Sequence, residues 1–217
     1  MTVPGNLSSP LLATAAAAAA AAGPIKSLRF NGADQAYLAR TFSSAGNTRT
    51  WTLSFWIKKV RDGGNWIFAA RSPLNDSLIN LVFNGNDEFE VGHYSFSSIR
   101  TARKYRDYSS WYHIVLAVDT TQATASNRIR VYTNGVEETS FTTATYPSQN
   151  TQYNVNTASL HTFAQSGSDY GSHQLADIYH IDGSQLDPTS FGAYDDNGVW
   201  QAAAYSGTFG TNGFHLL

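Results

Sequence analysis

Apolar and polar residues alternate along most of the chain from Ile25 onward, and turn-forming residues interrupt the alternation at short intervals. Between Trp51 and Lys58, every second residue is large and apolar, namely Leu53, Phe55 and Ile57. A period of two is typical of strands with one buried face, whereas helices show a period of 3.6 residues. The pattern therefore predicts an all-β sandwich or barrel.

The segment from Trp111 to Asp119, with the sequence WYHIVLAVD, departs from strict alternation because it is apolar on both faces. A strand with two apolar faces must be covered on both sides to be stable in water. We therefore expect this segment to be a central strand with protein above and below it.

A hairpin is predicted where Asn134-Gly135 separates an alternating segment around Ile129 and Val131 from the next apolar residue, Val136. An Asn-Gly pair between two strands favours a type I′ turn, because both central residues of that turn need positive φ angles.

The last predicted strand places Leu175, Asp177, Tyr179 and Ile181 on one face and ends at Asp182-Gly183. Residues 142–172, which precede this strand, are rich in Thr, Ser, Asn and Gln and contain few apolar residues. Such composition is typical of loops, so we expect a long loop excursion there.

Residues 1–24 differ in composition from the rest and contain eight consecutive alanines, Ala15 to Ala22, followed by Gly23 and Pro24. Ser9 as N-cap and Pro10 in the first turn would start a helix there. An isolated helix of about 12 residues is marginally stable in water, so it would need a partner surface. We interpret residues 1–24 as an anchoring arm and residues 25–217 as the domain.

Two alternatives for the arm stay open. It could be a disordered tail, or residues 11–22 could be the apolar part of a secretory signal, although no Lys or Arg precedes Lys26. The apolar run is too short for a membrane-spanning helix, so no membrane association is expected.

The composition of the chain limits the classes of partner and metal site that we expect. Aromatic residues make up 13% of the chain and charged residues 14%, and the formal net charge is −2. Nucleic-acid binding needs clustered cations, so it is not expected. The one basic cluster is interpreted as a solvated face: Arg100, Arg103, Lys104 and Arg106. The chain has no cysteine, so disulfides and thiolate metal sites are excluded.

Four segments in order resemble the laminin G-like, or concanavalin A-like, jelly-roll pattern. They are SLRFNGADQAYL (27–38), WTLSFWIK (51–58), SSWYHIVLAVD (109–119) with RIRVYTNGVEE (128–138), and LADIYHIDGSQLD (175–187). The resemblance implies a two-sheet antiparallel jelly-roll sandwich that acts as a binding or structural module.

A narrower resemblance concerns SLRFN, AGNTRTWTLSFWIKK, ADIYHIDGSQLDPTSFG and the terminal GTNGFHL. These segments are similar to laminin G-like proteins in virions of tailed bacteriophages. The resemblance implies a virion structural protein, such as a capsid decoration, head fibre or tail-associated fibre, assembled in a bacterial cytoplasm. Residues 1–24 would contact a capsid or tail protein. The chain would form a homo-oligomer, with a trimer as first expectation. The sandwich could contact host glycans. The alternative is a free carbohydrate-binding lectin.

No enzymatic activity and no required cofactor are predicted. The same superfamily contains glycosidases, which need two neighbouring carboxylates. Here Glu88 and Glu90 could share a strand face, but they follow a turn-like Asn84-Gly85-Asn86 and are interpreted as part of an exposed hairpin. The six histidines lack zinc-binding spacing, and His113 is interpreted as structural.

Calcium and glycans are the two kinds of ligand for which the sequence offers candidate residues. Asp34 and Asp177 lie near positions where laminin G-like domains sometimes hold calcium, an ion that prefers oxygen ligands, so calcium is a possible cofactor. Glycans would be held by aromatic rings on loops or edges. The candidate tyrosines for this role are Tyr94, Tyr105, Tyr108, Tyr153 and Tyr170.

Overall fold

A computed structural model describes residues 26–61, 64–71, 79–93 and 97–216. The described chain forms two antiparallel sheets of seven strands each, stacked as a sandwich, with two short hairpins outside them. The predicted all-β jelly-roll class is therefore confirmed. The proposed arm, residues 1–24, lies outside the described residues.

In the first sheet, one side of β15 pairs with β3, and β8, β9 and β10 follow in that order to the far edge. The other side of β15 pairs with β1 along one half of its length and with β18 along the other half. Its strands are β1 (Leu28–Phe30), β3 (Thr50–Lys59), β8 (Tyr112–Asp119), β9 (Ile129–Thr133), β10 (Val136–Glu137), β15 (His173–Asp182) and β18 (Phe214–Leu216).

The second sheet runs in the order β11, β7, β6, β5, β4, β12, β2. Its strands are β2 (Leu38–Thr41), β4 (Asn65–Ala70), β5 (Ile79–Phe83), β6 (Phe89–His93), β7 (Ser97–Thr101), β11 (Phe141–Thr145) and β12 (Leu160–Phe163). The hairpins are β13 (Gln165–Ser166) with β14 (Asp169–Tyr170), and β16 (Gly192–Tyr194) with β17 (Trp200–Ala202). Three 3-10 turns lie at Gly32–Asp34, Ala125–Asn127 and Pro188–Ser190.

The main core fills the space between the sheets. The predicted alternation in β3 is confirmed, because Leu53, Phe55 and Ile57 all belong to this core and are fully buried. They pack with apolar residues from the second sheet, such as Phe68 and Leu81.

The outer face of the first sheet is also buried. Val115 and Ala117 of β8 form a second apolar cluster with residues from a C-terminal segment, including Phe191 and Phe209. We name this segment, residues 186–209, the outer cover. Apolar residues on both faces of β8 are buried, which confirms the predicted central, doubly covered strand.

The single-face prediction for β15 is wrong. A register shift lies between Ala176 and Tyr179 of its pairing with β3, and Asp177 there has a φ of 47°. Such a bulge adds a residue and changes which face the following side chains occupy. Leu175 consequently packs in the core between the sheets, while Tyr179 packs under the outer cover.

The long loop predicted for residues 142–172 is interrupted by strands. The end of β11, the whole of β12 and the β13–β14 hairpin fall within it, and β12 joins β4 to β2 in the second sheet. Polar composition misled the prediction, since Thr162 is buried and its hydroxyl donates to the carbonyl of Gln165.

The Asn134-Gly135 hairpin is confirmed. Both residues have positive φ angles, 49° and 82°, and Val136 of β10 pairs with Thr133 of β9. In the part of the chain that the structure describes, no helix is long and apolar enough to cross a membrane.

Asp182, at the end of β15, ties together three loops that are distant in sequence. Its Oδ1 accepts hydrogen bonds from the Asn47 backbone N at 2.7 Å and from Asn156 Nδ2 at 3.0 Å, and its Oδ2 accepts one from the Asn212 backbone N at 3.0 Å. A side chain at Gly46 would place its Cβ 2.0 Å from Asp182 Oδ2. The loops therefore approach this carboxyl group closely, and only glycine fits beside it.

Replacing Asp182 with Ala should lower the free energy of unfolding by about 3 kcal/mol or more, because three donors lose a buried acceptor. Urea unfolding followed by circular dichroism measures this change. Asp187→Ala is the control, since that exposed residue caps a 3-10 turn by accepting from the N and the Oγ1 of Thr189, and its loss should cost about 1 kcal/mol. Equal losses in the two variants would show that Asp182 does not hold these loops.

Candidate functional site

An open groove of about 660 Å³ lies on the outer face of the first sheet. We name it the aromatic groove. Its lining comes from β3, from the segment before β8, from the β9–β10 turn and from the β16–β17 hairpin: Trp56, Ser109, Ser110, Trp111, Asn134, Tyr194, Gly198, Val199, Trp200 and Gln201. Ligand sites in proteins commonly have volumes in this range.

Trp200 forms the floor of the groove, and a buried chain of hydrogen bonds fixes its position. Its Nε1 donates to His113 Nδ1 at 2.9 Å, so His113 Nε2 carries the proton and donates to Ser54 Oγ at 2.8 Å. His113 also stacks on Trp56, with ring centroids 5.0 Å apart. Burial lowers the pKa of His113 to about 3, so the imidazole is neutral at ordinary pH, as this bonding requires.

Two glycines let the backbone approach the Trp200 ring. A Cβ at Gly135 would lie 2.5 Å from Trp200 Cε3, and one at Gly192 would lie 2.5 Å from Trp200 Cζ2. The glycine of the Asn-Gly hairpin therefore has two roles, because it allows a positive φ angle and also leaves room for the indole.

One wall of the groove is the loop of the β16–β17 hairpin. Asp195 Oδ1 accepts hydrogen bonds from the backbone N of Asn197 and of Val199, at 2.9 and 2.8 Å. These two bonds lower the pKa of the half-buried Asp195 carboxyl, with the bond from Val199 as the larger cause. The carboxylate thus organises the loop that carries Val199 and adjoins Tyr194.

The opposite wall is organised by Asp107. Its Oδ1 accepts from both the backbone N and the Oγ of Ser109, and its Oδ2 accepts from Ser110 Oγ. The hydroxyl bonds from Ser109 and Ser110 are the main reasons that the pKa of Asp107 falls to about 2. The carboxylate therefore fixes the two serines that precede Trp111.

The groove presents an apolar surface next to amide and hydroxyl groups. Tyr194 and Val199 are each 53% exposed, and Trp111 is half-buried. Asn134 uses Oδ1 to accept from His113 N, and Gln201 uses Nε2 to donate to Asp195. The other polar atom of each amide has no partner among the described residues, so the groove can both donate to and accept from a ligand.

The predicted glycan tyrosines lie elsewhere. Tyr105 and Tyr153 are 0% and 1% exposed, so the prediction that they contact glycans is wrong. Both are core residues, and Tyr105 OH is hydrogen bonded to Thr133 Oγ1 at 2.7 Å. The alternation of apolar residues could not distinguish these buried rings from exposed ones.

Tyr108 and Tyr170 are half-buried, and neither lines the groove. Lys59 Nζ lies 5.2 Å from the ring centroid of Tyr108, and Tyr170 packs against Tyr37 at 6.0 Å. Tyr94 lies outside the described residues. The sequence did contain a signal for the groove, since the Asp-Asp-Asn-Gly turn (195–198) between Tyr194 and Trp200 is typical of a hairpin.

The two calcium candidates have separate partners. Asp34 Oδ2 accepts from Asn31 Nδ2, while Asp177 Oδ1 is paired with His215 Nε2 at 3.1 Å. Within the described ranges, no group of three or more His, Cys, Asp or Glu residues could hold a metal ion. Because calcium takes six to eight oxygen ligands, these two carboxylates alone do not fit it, and calcium binding stays a prediction.

Residues 30–170 match the family model described as the concanavalin A-like lectin/glucanases superfamily. This match covers more than half of the chain. The chain belongs to the concanavalin A-like lectin/glucanases superfamily. A laminin G-like domain of this superfamily is typically a non-catalytic binding module. No curated protein matches the sequence.

Solved structures share the fold at low sequence identity. Botulinum neurotoxin type C, whose cell entry depends on interaction with two ganglioside molecules, has a TM-score of 0.50 and 15% identity. The match covers 75% of this chain but only 40% of the toxin chain. A heptameric SAP-like pentraxin from Limulus polyphemus has a TM-score of 0.49 and 16% identity, with 74% and 76% of the two chains covered.

Domain 4 of the arabinanase AbnA from Geobacillus stearothermophilus, solved with arabinotriose, has a TM-score of 0.47 and 21% identity, with 66% of this chain and 65% of that chain covered. At these identities, the similarity of all three structures concerns the fold alone.

The carboxylates that could suggest glucanase chemistry are held in ion pairs. Glu88 is 5% exposed and accepts from Lys104 Nζ at 2.6 Å and from Asn84 Nδ2 at 2.8 Å. The bond from Asn84, and then that from Lys104, lowers the pKa of Glu88, which is the opposite of what a general acid requires. The predicted hairpin is confirmed, but Glu88 is buried within it rather than exposed.

The positive charges of the basic cluster are also balanced by nearby carboxylates. Each of its four cations lies within 4 Å of a carboxylate: Arg100 with Glu90, Arg103 with Glu138, Lys104 with Glu88, and Arg106 with Asp87. The four side chains are 33% to 70% exposed, and this exposure together with the pairing supports the interpretation of the cluster as a solvated face.

The buried histidines predict a loss of stability in mild acid. Burial lowers the pKa of His113, His173 and His180 to about 3, whereas in the unfolded chain it is near 6.5. The unfolded state alone therefore binds protons between these values, and the free energy of unfolding should fall by about 1.4 kcal/mol per pH unit for each histidine as the pH drops from 6 to 5.

Urea unfolding of the full chain at several pH values between 7 and 5 measures this slope. His173→Phe is the matched variant, because neither ring nitrogen of His173 has a hydrogen-bond partner in the described structure. It should reduce the slope by about one histidine's share. An unchanged slope would contradict the assignment of His173 as a neutral buried group.

Proposed function

We propose that this chain is a non-catalytic carbohydrate-binding module and that the aromatic groove is its glycan site. The observation that supports this proposal most directly is the position of Tyr194 and Trp111 in one open groove, beside Asn134 Nδ2 and Gln201 Oε1, which have no partner among the described residues. The two carboxylates that organise its walls, Asp107 and Asp195, accept hydrogen bonds that lower their pKa values. A lowered pKa is the opposite of what a general acid requires, so the groove is better suited to binding than to proton transfer.

A pyranose ring has an apolar C–H face and a rim of hydroxyls. Tyr194 can cover such a face because its ring is held upright by an edge contact with Trp200, at 4.9 Å between centroids, and by a hydrogen bond from its OH to the Asn134 carbonyl. An aromatic ring fixed before binding loses little conformational entropy when the ligand arrives. A ring fixed in this way therefore favours sugar binding.

The polar atoms of the groove match sugar hydroxyls, which both donate and accept. Asn134 Nδ2 can donate to a hydroxyl and Gln201 Oε1 can accept from one. The oxygens of Ser109 and Ser110 can accept as well, since their protons are used by Asp107. The groove has no net charge from its lining, so we propose a neutral oligosaccharide as ligand.

Tyr194→Ala should reduce affinity for any glycan that the full chain binds by about tenfold or more, the effect expected when a central aromatic contact is truncated. Glycan-array screening identifies the sugar, and titration calorimetry measures the change. Tyr37→Ala is the matched control, because Tyr37 is 46% exposed and lies in the loop before β2, outside the groove. Equal loss in both variants, or none in Tyr194→Ala, would exclude the groove as the glycan site.

We further propose that the module is displayed on a bacteriophage virion as a structural protein. This proposal rests on the similarity of SLRFN, AGNTRTWTLSFWIKK and ADIYHIDGSQLDPTSFG to virion proteins of tailed phages. Residues 1–24 would contact a capsid or tail protein, and the chain would assemble as a homo-oligomer, with a trimer as the first model. A free lectin with the same groove is the alternative.

Crosslinking mass spectrometry on purified particles that contain this chain tests the virion proposal. We expect crosslinks from the amino group of residue 1 or from Lys26 to a capsid or tail protein, together with crosslinks between copies of the chain. Deletion of residues 1–24 should remove the chain from the particles and leave glycan binding by the domain intact. Full incorporation of the deletion variant would overturn the anchoring role, and recovery of the chain only as a free monomer would favour the lectin.

A further inference from the structure

A second concavity lies at the edge of the sandwich, where β2 and β12 of one sheet face β15 and β18 of the other. It has a volume of about 220 Å³, and we name it the edge cavity. Its lining is mainly apolar: Leu38, Ala39, Arg40, Phe42, Phe68, His161, Phe163, His180, Phe214 and Leu216. None of these residues lines the aromatic groove.

Arg40 is the only cation in this lining, and it has no carboxylate partner among the described residues. Its guanidinium carbon lies 5.0 Å from the ring centroid of Phe42 and 5.8 Å from that of Phe214. The side chain is exposed, in contrast to the two aromatic rings that it covers. The edge cavity therefore has a positive charge at its solvent side that nothing in the described structure neutralises.

His180 supplies a second unsatisfied group. Its Nε2 donates to Asn156 Oδ1 at 2.6 Å, and the orientation of that amide is fixed because Asn156 Nδ2 donates to the Asn47 carbonyl and to Asp182. His180 Nδ1 is therefore a lone-pair acceptor. It is buried and has no hydrogen-bond partner in the described part of the chain.

His161, which lines the same cavity, differs from His180 because both of its ring nitrogens have hydrogen-bond partners. Its Nδ1 donates to the Ser159 carbonyl at 2.8 Å, and its Nε2 accepts from the Asn156 backbone N at 3.2 Å. Burial, and to a smaller extent the charge of Arg40, lowers the pKa of both histidines. Both rings are thus neutral, and only His180 has an acceptor to offer.

We propose that the edge cavity binds a small amphipathic carboxylic acid with an apolar ring and one hydroxyl or N–H donor. The ring occupies the space among Phe68, Phe163 and Leu216, the carboxylate pairs with Arg40, and the donor bonds to His180 Nδ1. Burial of an acceptor without a donor costs about 1 to 3 kcal/mol, so a ligand that supplies the donor is favoured over one that does not. The inference is independent of the glycan proposal, because it uses other residues.

The size of the edge cavity agrees with a single ring. A cavity of about 150 Å³ with apolar walls can bind benzene, so about 220 Å³ accommodates a benzene ring with short substituents. The chemistry therefore limits the ligand to a hydroxylated aromatic or cyclic acid of about ten or eleven non-hydrogen atoms.

Three probes separate the contributions of the ring, the carboxylate and the donor to binding. Titration calorimetry with the full chain measures the affinity of each probe. The probe 4-hydroxyphenylacetate has the ring, the carboxylate and the donor, whereas phenylacetate lacks the donor and p-cresol lacks the carboxylate. We expect 4-hydroxyphenylacetate to bind most tightly, with the loss of either group weakening binding by about tenfold.

Substitutions in the chain test whether the probes bind in the edge cavity. Arg40→Gln should weaken binding of 4-hydroxyphenylacetate by about tenfold and leave binding of p-cresol unchanged, while Arg29→Gln, a change at an exposed arginine of β1, should alter neither. Leu38→Trp, on strand β2, should fill the edge cavity and abolish binding of all three probes. Circular dichroism and urea unfolding establish that each variant is folded.

The proposal is overturned if no probe binds at millimolar concentration, or if binding persists unchanged in both Arg40→Gln and Leu38→Trp. It is also overturned if crosslinks place residues 1–25 of the same chain at Leu216 and the probes do not displace them, since the chain itself would then be the occupant. His180→Phe is not needed for this decision, because it would also remove the hydrogen bond to Asn156.

Discussion

The central strands of the first sheet are apolar on both faces, and the architecture of the whole domain follows from the need to cover both. Leu53 and Leu116 pack between the sheets, while Trp56 and Val115 are buried on the opposite face. A sandwich of two sheets buries only one face of each, so a third layer is needed here. The outer cover, residues 186–209, provides it, and the aromatic groove exists because this layer leaves a gap beside Trp111.

Buried polar groups then determine how the loops are placed. Asp182 holds Asn47, Asn156 and Asn212 together, and His113 holds Trp200 against the sheet through a neutral imidazole. Such groups are expensive to bury unless they are bonded, so they select one arrangement of the loops over others that would bury as much apolar surface. Some buried groups do not follow this rule, since both ring nitrogens of His173 and the Nδ1 of His180, a residue that lines the edge cavity, have no hydrogen-bond partner in the described structure.

Much of the fold could be predicted from particular segments. The alternation in residues 51–58 and the two apolar faces of residues 111–119 predict a core strand and a doubly covered strand, and Asn134-Gly135 predicts a turn that both φ angles confirm. The phase of β15 could not be predicted, because a bulge at Asp177 depends on pairing with β3 rather than on local sequence. The candidate site was mostly missed, since Tyr105 and Tyr153 are buried and Tyr194 and Trp111 were not chosen.

The class of fold, the family and the absence of disulfides follow from the amino-acid sequence, because apolar period, turn residues and composition are local properties of the chain. Packing in three dimensions sets which aromatic rings face solvent, which carboxylates are paired and which ring nitrogens remain without a partner. Those outcomes depend on contacts between residues far apart in sequence, such as Asp182 with Asn47 and Trp200 with His113. Binding chemistry depends on convergence of this kind, so it follows from packing rather than from residue order.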